Sequence, residues 1–515
     1  MTTDNNATIS NINRSYSAIR VAFNRLQQTL LRLDNLPLAI VNVKCTSAYY
    51  RQTKALPPSG VFAGPPIKDQ HVENFVTRLD SDGPIPPFLP SVKVLISLQR
   101  NNKWGDDLDV IAKLKAVFYV NISRRLRVNH ELFTVATDSE LYVIVDRIVF
   151  CLRIVHLREV QLFAAAKKNG QDLSKYIQSY GVDFALRVRR DLIHKPLVSQ
   201  LLYSLSQRNS AFSECCMLAR QWFDACYLSK VFEGIAIELL IARLFTATGN
   251  APPKNGKAAF ARFVAFLAMF NFASEPVVVD INERFTPDVL DAARRNFIER
   301  RLVLPPVVIL TPEDHDGIIF TSRQPETVAL LRVIQFAKTM HEQINALALE
   351  KADLNEFEMP KPNTHIYDVL ILMDRKHMAY RPRATVPAAK DTGAKNTARQ
   401  PKNTSSLYAL PVVDFEPARM LFAELRTHFS KKAMFFFNAS TCRSIGVVFR
   451  PTFLTGRDAT DDDTSNQSTQ RRPIKGEERR KILKTNVAAF VEDVKILAGK
   501  FVYKVVVSPQ FRYEN

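Results

Sequence analysis

Closely spaced acids are the first residues in this chain that could do chemistry. Asp80/Asp82, Asp107/Asp109 and Asp314/Asp316 each set two carboxylates one residue apart, and carboxylates gathered on divalent cations neutralise attacking and leaving oxygens. Their neighbourhoods argue against that use. Asp80/Asp82 fall in a proline-rich stretch, Asp314/Asp316 in a turn, and Asp107/Asp109 open a helix whose N-cap and first-turn acids are expected at Asp106 and Asp107. His315 has no second His or Cys at ligand spacing, so it reads as a solvated turn residue and no metal is expected. Gly249 to Lys257 looks like a phosphate loop, but it has six residues between its glycines where the motif needs four. Ala258 also stands where a magnesium-binding hydroxyl belongs, and no strand precedes. Cys215 and Cys216 lack a basic neighbour to activate them, which makes them and Trp222 core residues.

Basic clusters are the stronger candidates. They are Arg124/Arg125/Arg127, Arg187/Arg189/Arg190, Arg294/Arg295 with Arg300/Arg301, Arg381/Arg383, and Arg471/Arg472/Lys475/Arg479/Arg480/Lys481/Lys484. Such groups bind phosphate backbones without reading sequence, and their hold weakens with salt. A solvated helix face or a nuclear-import signal would use the same residues. The acidic run Asp458 to Asp463 could mask the last cluster in part.

Composition agrees with a polyanionic partner. The 515 residues carry 70 Lys+Arg against 51 Asp+Glu, a formal +19. Hydrophobic content of 46% and charged content of 23% are those of a globular chain, long enough for about three domains. Six cysteines without CxxC spacing, mostly inside apolar runs, read as buried thiols in a reducing compartment. The polar N-terminus holds no signal-peptide core, and no apolar run is long enough for a membrane helix. The expectation is a soluble intracellular protein.

Periodicity then gives the elements that position these residues. Residues 1–13 read as unstructured, followed by a helix to Leu33 with Ile19, Phe23, Leu26, Leu30 and Leu33 on one face. Strands are expected at LAIVNV, at VKVLISL from Val92, at ELFTVAT from Glu131, and as one longer run from Leu141 to His156. A helix should open at Asp106/Asp107 and run through Ile122, with further helical patterns at 158–168 and 171–187. These make a first α/β module with a mixed sheet, residues 1–190. The second, 191–352, is a hub of buried helices around AFSECCMLARQWFDACYL, VFEGIAIELLIARLF and KAAFARFVAFLAMF, with short strands at PVVVDI and PPVVIL and a last helix from near Gln324. After a linker at 353–364, a third module at 365–515 alternates strand, helix, two strands, helix and strand. Low-complexity insertions near 379–404 and 456–480 cannot bury enough apolar surface to order, and should be mobile loops.

The hub also carries a resemblance. QWFDACYL, the following ELL, GKAAFARFVAFLAMFNF with PVVVDIN, and VVILTPED with its later Gln-Pro resemble the nucleolar RNA-associated protein (Nrap) family of small-subunit processome factors. The likeness continues through IYDVLILMDRKHM, YALPVVDFEPARMLFAELR, MFFFN, IGVVFRPTF and NVAAFVEDVKILAGKFV. It implies a multi-domain α/β and α+β chain: a degenerate nucleotidyltransferase-like domain, a helical poly(A)-polymerase/oligoadenylate-synthetase-like domain, and a C-terminal α+β domain. Active transferases of that lineage hold two cations on three carboxylates and grip the triphosphate at a Gly-Ser or Gly-Gly turn. Here none of the 15 glycines precedes Ser or Gly, and the strand from Leu141 offers only Asp146. The implied function is a non-catalytic scaffold of the nucleus and nucleolus, without cofactor, small-molecule substrate or membrane. Its implied partners are pre-ribosomal RNA and other processome proteins. The alternative is a residual metal-dependent nucleotidyltransferase acting on RNA ends. Family members are about twice this length, so the resemblance covers their C-terminal half, through an incomplete gene model or a truncated form.

Overall fold

The computed structural model describes residues 2–55, 90–100, 104–146, 148–168, 184–246, 251–349, 364–374, 413–414, 416–439, 442–454 and 476–511, leaving aside the side chains of 2–15 and 476–485. Two compact units divide the chain. One comprises Met1–Leu218, Phe232–Lys351 and Arg381–Asp414; the other comprises Ala219–Val231, Ala352–Tyr380 and Phe415–Asn515.

The first unit opens with α1 (Thr2–Leu31), whose Ile19, Phe23, Leu26 and Leu30 are buried as their spacing requires. The helix already includes the segment expected to be unstructured. Once a helix is nucleated on an apolar face, each added residue gains a backbone hydrogen bond without a new nucleation cost. Five strands follow: β1 (Ile40–Cys45), β2 (Val92–Leu98), and, after α2 (Leu108–His130), β3 (Phe133–Ala136), β4 (Leu141–Val145) and β5 (Ile148–Val155). They form one sheet in the order β1-β2-β5-β4-β3. It is mixed, with β2 and β5 parallel and the remaining pairs antiparallel.

Two expectations fail here for identifiable reasons. The run from Leu141 is a hairpin, not one strand. Asp146 adopts a left-handed backbone (φ 48), which Asp tolerates, and Val145 pairs with Ile148 across the turn. Helix α2 starts where expected, with Asp107 Oδ1 accepting from Asp109 N at 2.7 Å and Val110 N at 3.3 Å. It then continues past Ile122, because buried Leu126 extends the apolar stripe of Tyr119 and Ile122. Residues of α1 and α2 share one core with Val92, Val94, Ile96, Phe150, Leu152 and Ile154, so both helices cover the same sheet face.

Beside α2, α3 (Arg158–Lys168) and α4 (Phe184–Arg189) meet through Phe163 and Phe184. A π-helical segment, Arg190–His194, leads into α5 (Lys195–Arg208). The hub follows as α6 (Ser210–Ala225), α7 (Gly234–Thr246), α8 (Gly256–Met269), β6 (Val277–Val278), α9 (Pro287–Glu299), β7 (Ile309–Leu310) and α10 (Thr327–Leu349), with β6 and β7 paired in parallel. Every residue of α7 from Ile235 to Ala242 is buried, as its all-round apolar sequence demands. Buried Glu238 is met by Arg51, whose Nε and Nη2 donate to its two oxygens at 2.8 and 3.1 Å. Trp222, Cys215 and Cys216 are buried too.

The second unit contains β8 (Val369–Met373), α11 (Pro417–His428), β9 (Ala433–Phe437), β10 (Ser444–Phe449), α12 (Gly476–Ala498) and β11 (Val502–Val507). This βαββαβ order and the antiparallel sheet order β11-β8-β10-β9 are those of a ferredoxin-like sandwich. Val369, Ile371, Phe435, Phe437, Ile445 and Val447 share a core with Leu421, Leu425, Phe490 and Val494 of the two helices. Helix α12 begins at Gly476, inside the stretch expected to be a mobile loop. Residues 379–404 and most of 456–480 lie outside the described residues.

Candidate functional site

Strand alternation decides which side chains leave the first core. Val92, Val94 and Ile96 face the helices on β2, which turns Lys93 to the other side; Phe150, Leu152 and Ile154 of β5 likewise release Cys151 and Arg153. Register places Lys93 beside Cys151, and Cys151 beside Tyr142 of β4, in one row across three strands. Lys93 Nζ lies 2.6 Å from Asp414 Oδ2 and 3.9 Å from Glu140 Oε2. Asp414 also accepts from Ser91 N at 2.9 Å and Ser91 Oγ at 2.5 Å. Val413, its neighbour, packs against Val149, Tyr142 and Ile144 on the same face. Tyr142 OH donates to Glu140 Oε2 at 2.7 Å, and Arg153 Nε stands 3.7 Å from Glu140 Oε1.

The charges in this row are settled by one another. Burial pulls the Lys93 ammonium down, but the groups around it, the Asp414 and Glu140 carboxylates among them, outweigh it and hold its pKa above the usual lysine value. Burial pushes Asp414 up, and Lys93 with Ser91 reverses this, leaving its carboxyl below the usual range. Burial raises the Cys151 thiol to about 12, so it stays neutral. The result is a fixed ammonium between two carboxylates. A divalent cation does not fit this donor set, because the acids on the face already share a positive charge that would repel it. Among the described residues, no three His, Cys, Asp or Glu side chains gather in a way that could hold a metal.

The other acids of the sequence are placed as their neighbourhoods suggested. Asp107 and Asp109 open α2. Asp314 is buried and accepts from Gly317 N at 3.0 Å and Ile319 N at 2.9 Å, closing a turn, while burial raises its pKa. Asp316 lies 3.3 Å from Arg300 Nη1, and His315 is exposed. Asp146 lies 2.6 Å from Arg25 Nη1, and Asp80/Asp82 fall outside the described residues. The glycine-and-lysine stretch holds no phosphate cradle at the start of α8. Asn255 Oδ1 accepts from Ala258 N at 2.8 Å, and Glu214 Oε2 accepts from Gly256 N at 3.0 Å. A carboxylate already occupies the place an anion would take.

The structure separates the basic clusters. Arg190 forms ion pairs with Asp191 and Glu233, which gives it a local structural duty, while Arg189 is exposed. Arg187 ends the same helix, α4, in its last turn. Arg127 donates to Thr134, tying α2 to β3. Arg301 donates to the carbonyls of Ala273, Phe272, Pro305 and Pro306, so it staples loops together. Arg294 and Arg300 face Asp291 and Asp316. Arg479, Arg480, Lys481 and Lys484 fall in α12; Arg381, Arg383, Arg471, Arg472 and Lys475 lie outside the described residues.

Sequence reasoning passed over Lys93 and Asp414. A lysine between valines in a strand did carry a signal, since a charge on a sheet face needs a counterion. Nothing local marked Asp414, which stands 321 positions away.

Comparisons with known proteins match three successive stretches of the chain. Residues 2–207 match the Nrap protein nucleotidyltransferase domain 4, residues 209–359 the Nrap protein PAP/OAS1-like domain 5, and residues 364–505 the Nrap protein domain 6. Nucleolar protein 6 of Xenopus laevis is 27% identical over 482 residues, covering 92% of this chain and 41% of its own. Nucleolar protein 6 of Homo sapiens is 26% identical over 493 residues, covering 95% and 42%. The chain thus spans about two fifths of these relatives' length. Among solved structures, an E. coli CdnC:HORMA-deltaN complex overlaps with a TM-score of 0.39 at 13% identity, covering 66% of this chain and 91% of that one. A cytoplasmic RNA terminal U-transferase overlaps at 0.32 and 10%, covering 64% and 88%. By the family matches, residues 2–359 have a nucleotidyltransferase and PAP/OAS1-like fold, and the relatives place the chain in the nucleus, at the nucleolus. With three consecutive domains matched from residue 2 to residue 505, the chain belongs to the Nrap family.

Proposed function

We propose that this chain is an RNA-associated scaffold of the small-subunit processome that takes part in pre-ribosomal RNA processing without transferring nucleotides. The observation that carries this reading is the Lys93 row. On the sheet face away from α1 and α2, Glu140 and Asp414 converge on an ammonium. Catalysis of nucleotide transfer needs carboxylates free to take metal. The scaffold instead contributes positive surface, drawn from a formal +19. Arg187 and Arg189 of α4 and the basic N-terminal half of α12 are its phosphate contacts, joined by Arg381, Arg383, Arg471, Arg472 and Lys475. Other processome proteins complete its partners.

Binding of structured RNA by the purified chain, followed across a salt series, tests this. A scaffold touching several phosphates loses affinity as a linear function of log salt, with a slope of about 0.9 per contact. Affinity no better at low salt than that of an acidic control protein would remove direct RNA contact from the account.

A further inference from the structure

Among the described residues strand β11 is the outermost strand of its sheet, and its pairing with β8 slips by one residue. Val502 faces Met373 and Lys504 faces Leu372, so Tyr503 is the extra residue of a bulge. Val502 and Val505 both lie against the helix-side core although they are three positions apart. The bulge therefore turns Tyr503 and Lys504 outward together. Tyr503 is 76% exposed, and Lys500, just before the strand, is exposed as well. None of the three side chains has a hydrogen bond or ion pair among the described residues.

An open edge strand invites either a second strand or a ligand read by side chains. A bulge and an outward lysine both obstruct strand addition, since they break the ladder and bring charge to it. What remains is an exposed ring with an exposed lysine before and after it in the chain, which suits a base stacked on the ring with its neighbouring phosphates on the lysines. We propose that Tyr503, Lys500 and Lys504 form a subsite for single-stranded RNA. Duplex RNA keeps its base faces stacked and cannot use the ring. This rests on the RNA-associated reading above, and adds that the second unit itself grips unpaired nucleotides.

The test uses the full chain, a labelled oligouridylate of about 12 nucleotides and an RNA duplex of similar length. Y503A should weaken oligouridylate binding about tenfold and leave duplex binding within about twofold, while Y503F retains both. K500Q/K504Q should weaken both RNAs and lower the oligouridylate salt slope by about 1.4. Tyr503 is exposed, so the variants should keep the parent's melting profile. Oligouridylate binding by Y503A equal to the parent's would overturn the subsite while leaving the scaffold reading intact. A parent that binds duplex but not oligouridylate would do the same, and a parent that binds neither would overturn both.

Discussion

Lys93 Nζ and Asp414 Oδ2 stand 2.6 Å apart across 321 positions of sequence. The contact fastens the Val413–Asp414 segment onto the face of the first sheet away from α1 and α2, with Ser91 completing the coordination of the carboxylate. Because the pair is only half-buried, Lys93→Met should cost on the order of 1 kcal/mol at neutral pH. The pH dependence has a definite sign. Asp414 has a depressed pKa in the folded chain, so its contribution is present above the usual carboxylate range and is lost as pH falls through the folded value. Urea unfolding of parent and Lys93→Met should therefore differ at pH 7 and converge in acid.

A second ion pair is of another kind. Arg51 and Glu238 have side chains 1% and 0% exposed, and Arg51 Nη1 donates further to Thr46 O and Ser199 Oγ, each at 3.0 Å. It joins the loop after β1 to α5 and α7. Removing one partner strands a buried charge, so Glu238→Gln should destabilise the first unit by about 3–5 kcal/mol. Replacing both with apolar residues should restore much of that loss in the same unfolding assay.

Lys230 gives the second unit a signature at high pH. Burial, with Arg419 beside it, pulls its pKa down to about 8 against the opposing pull of Glu416 and Asp224. Below pH 8 the folded and unfolded chains are both protonated here, and the cost of the buried charge is constant. Between about 8 and the free-lysine value near 10.4 only the unfolded chain holds the proton, so stability rises with pH. Lys230→Met should abolish a rise on the order of 3 kcal/mol and stabilise the second unit at pH 7. Thermal melts across that range read both.

Gly446 on β10 lies directly under the ring of Tyr367. A Cβ at Gly446 would come within 2.5 Å of Tyr367 Cδ1, and that ring is itself buried beside Tyr227 and Phe436. Gly446→Ala should cost about 1–3 kcal/mol through overpacking, measurable as a lower melting temperature of the second unit.

How much of this was legible in the chain depends on the range of the interaction. The face of α1, the acidic start of α2, the bounds of β2 and the buried Cys215–Cys216–Trp222 helix are local patterns, and sequence periodicity carries them. The turn at Asp146 was hidden because apolar residues flank it on both sides, so the hairpin read as one strand. The helical start of α12 was hidden by its charge, which mimics a solvated loop. The sheet-face row, the Arg51–Glu238 pair and the bulge at Tyr503 are products of register and long-range contact. Lysine in a strand hints at a partner, but only folding says that the partner is Asp414.

The most direct measurement of the central claim is nucleotide addition to RNA 3′ ends by the purified chain, with labelled nucleoside triphosphates and either magnesium or manganese. With an ammonium shared by the two acids on its sheet face, the chain should bind the RNA and leave its length unchanged in both metals. Metal-dependent extension that disappears in Asp414→Asn or Glu140→Gln would contradict the account, because those acids would then be serving a cation and not Lys93.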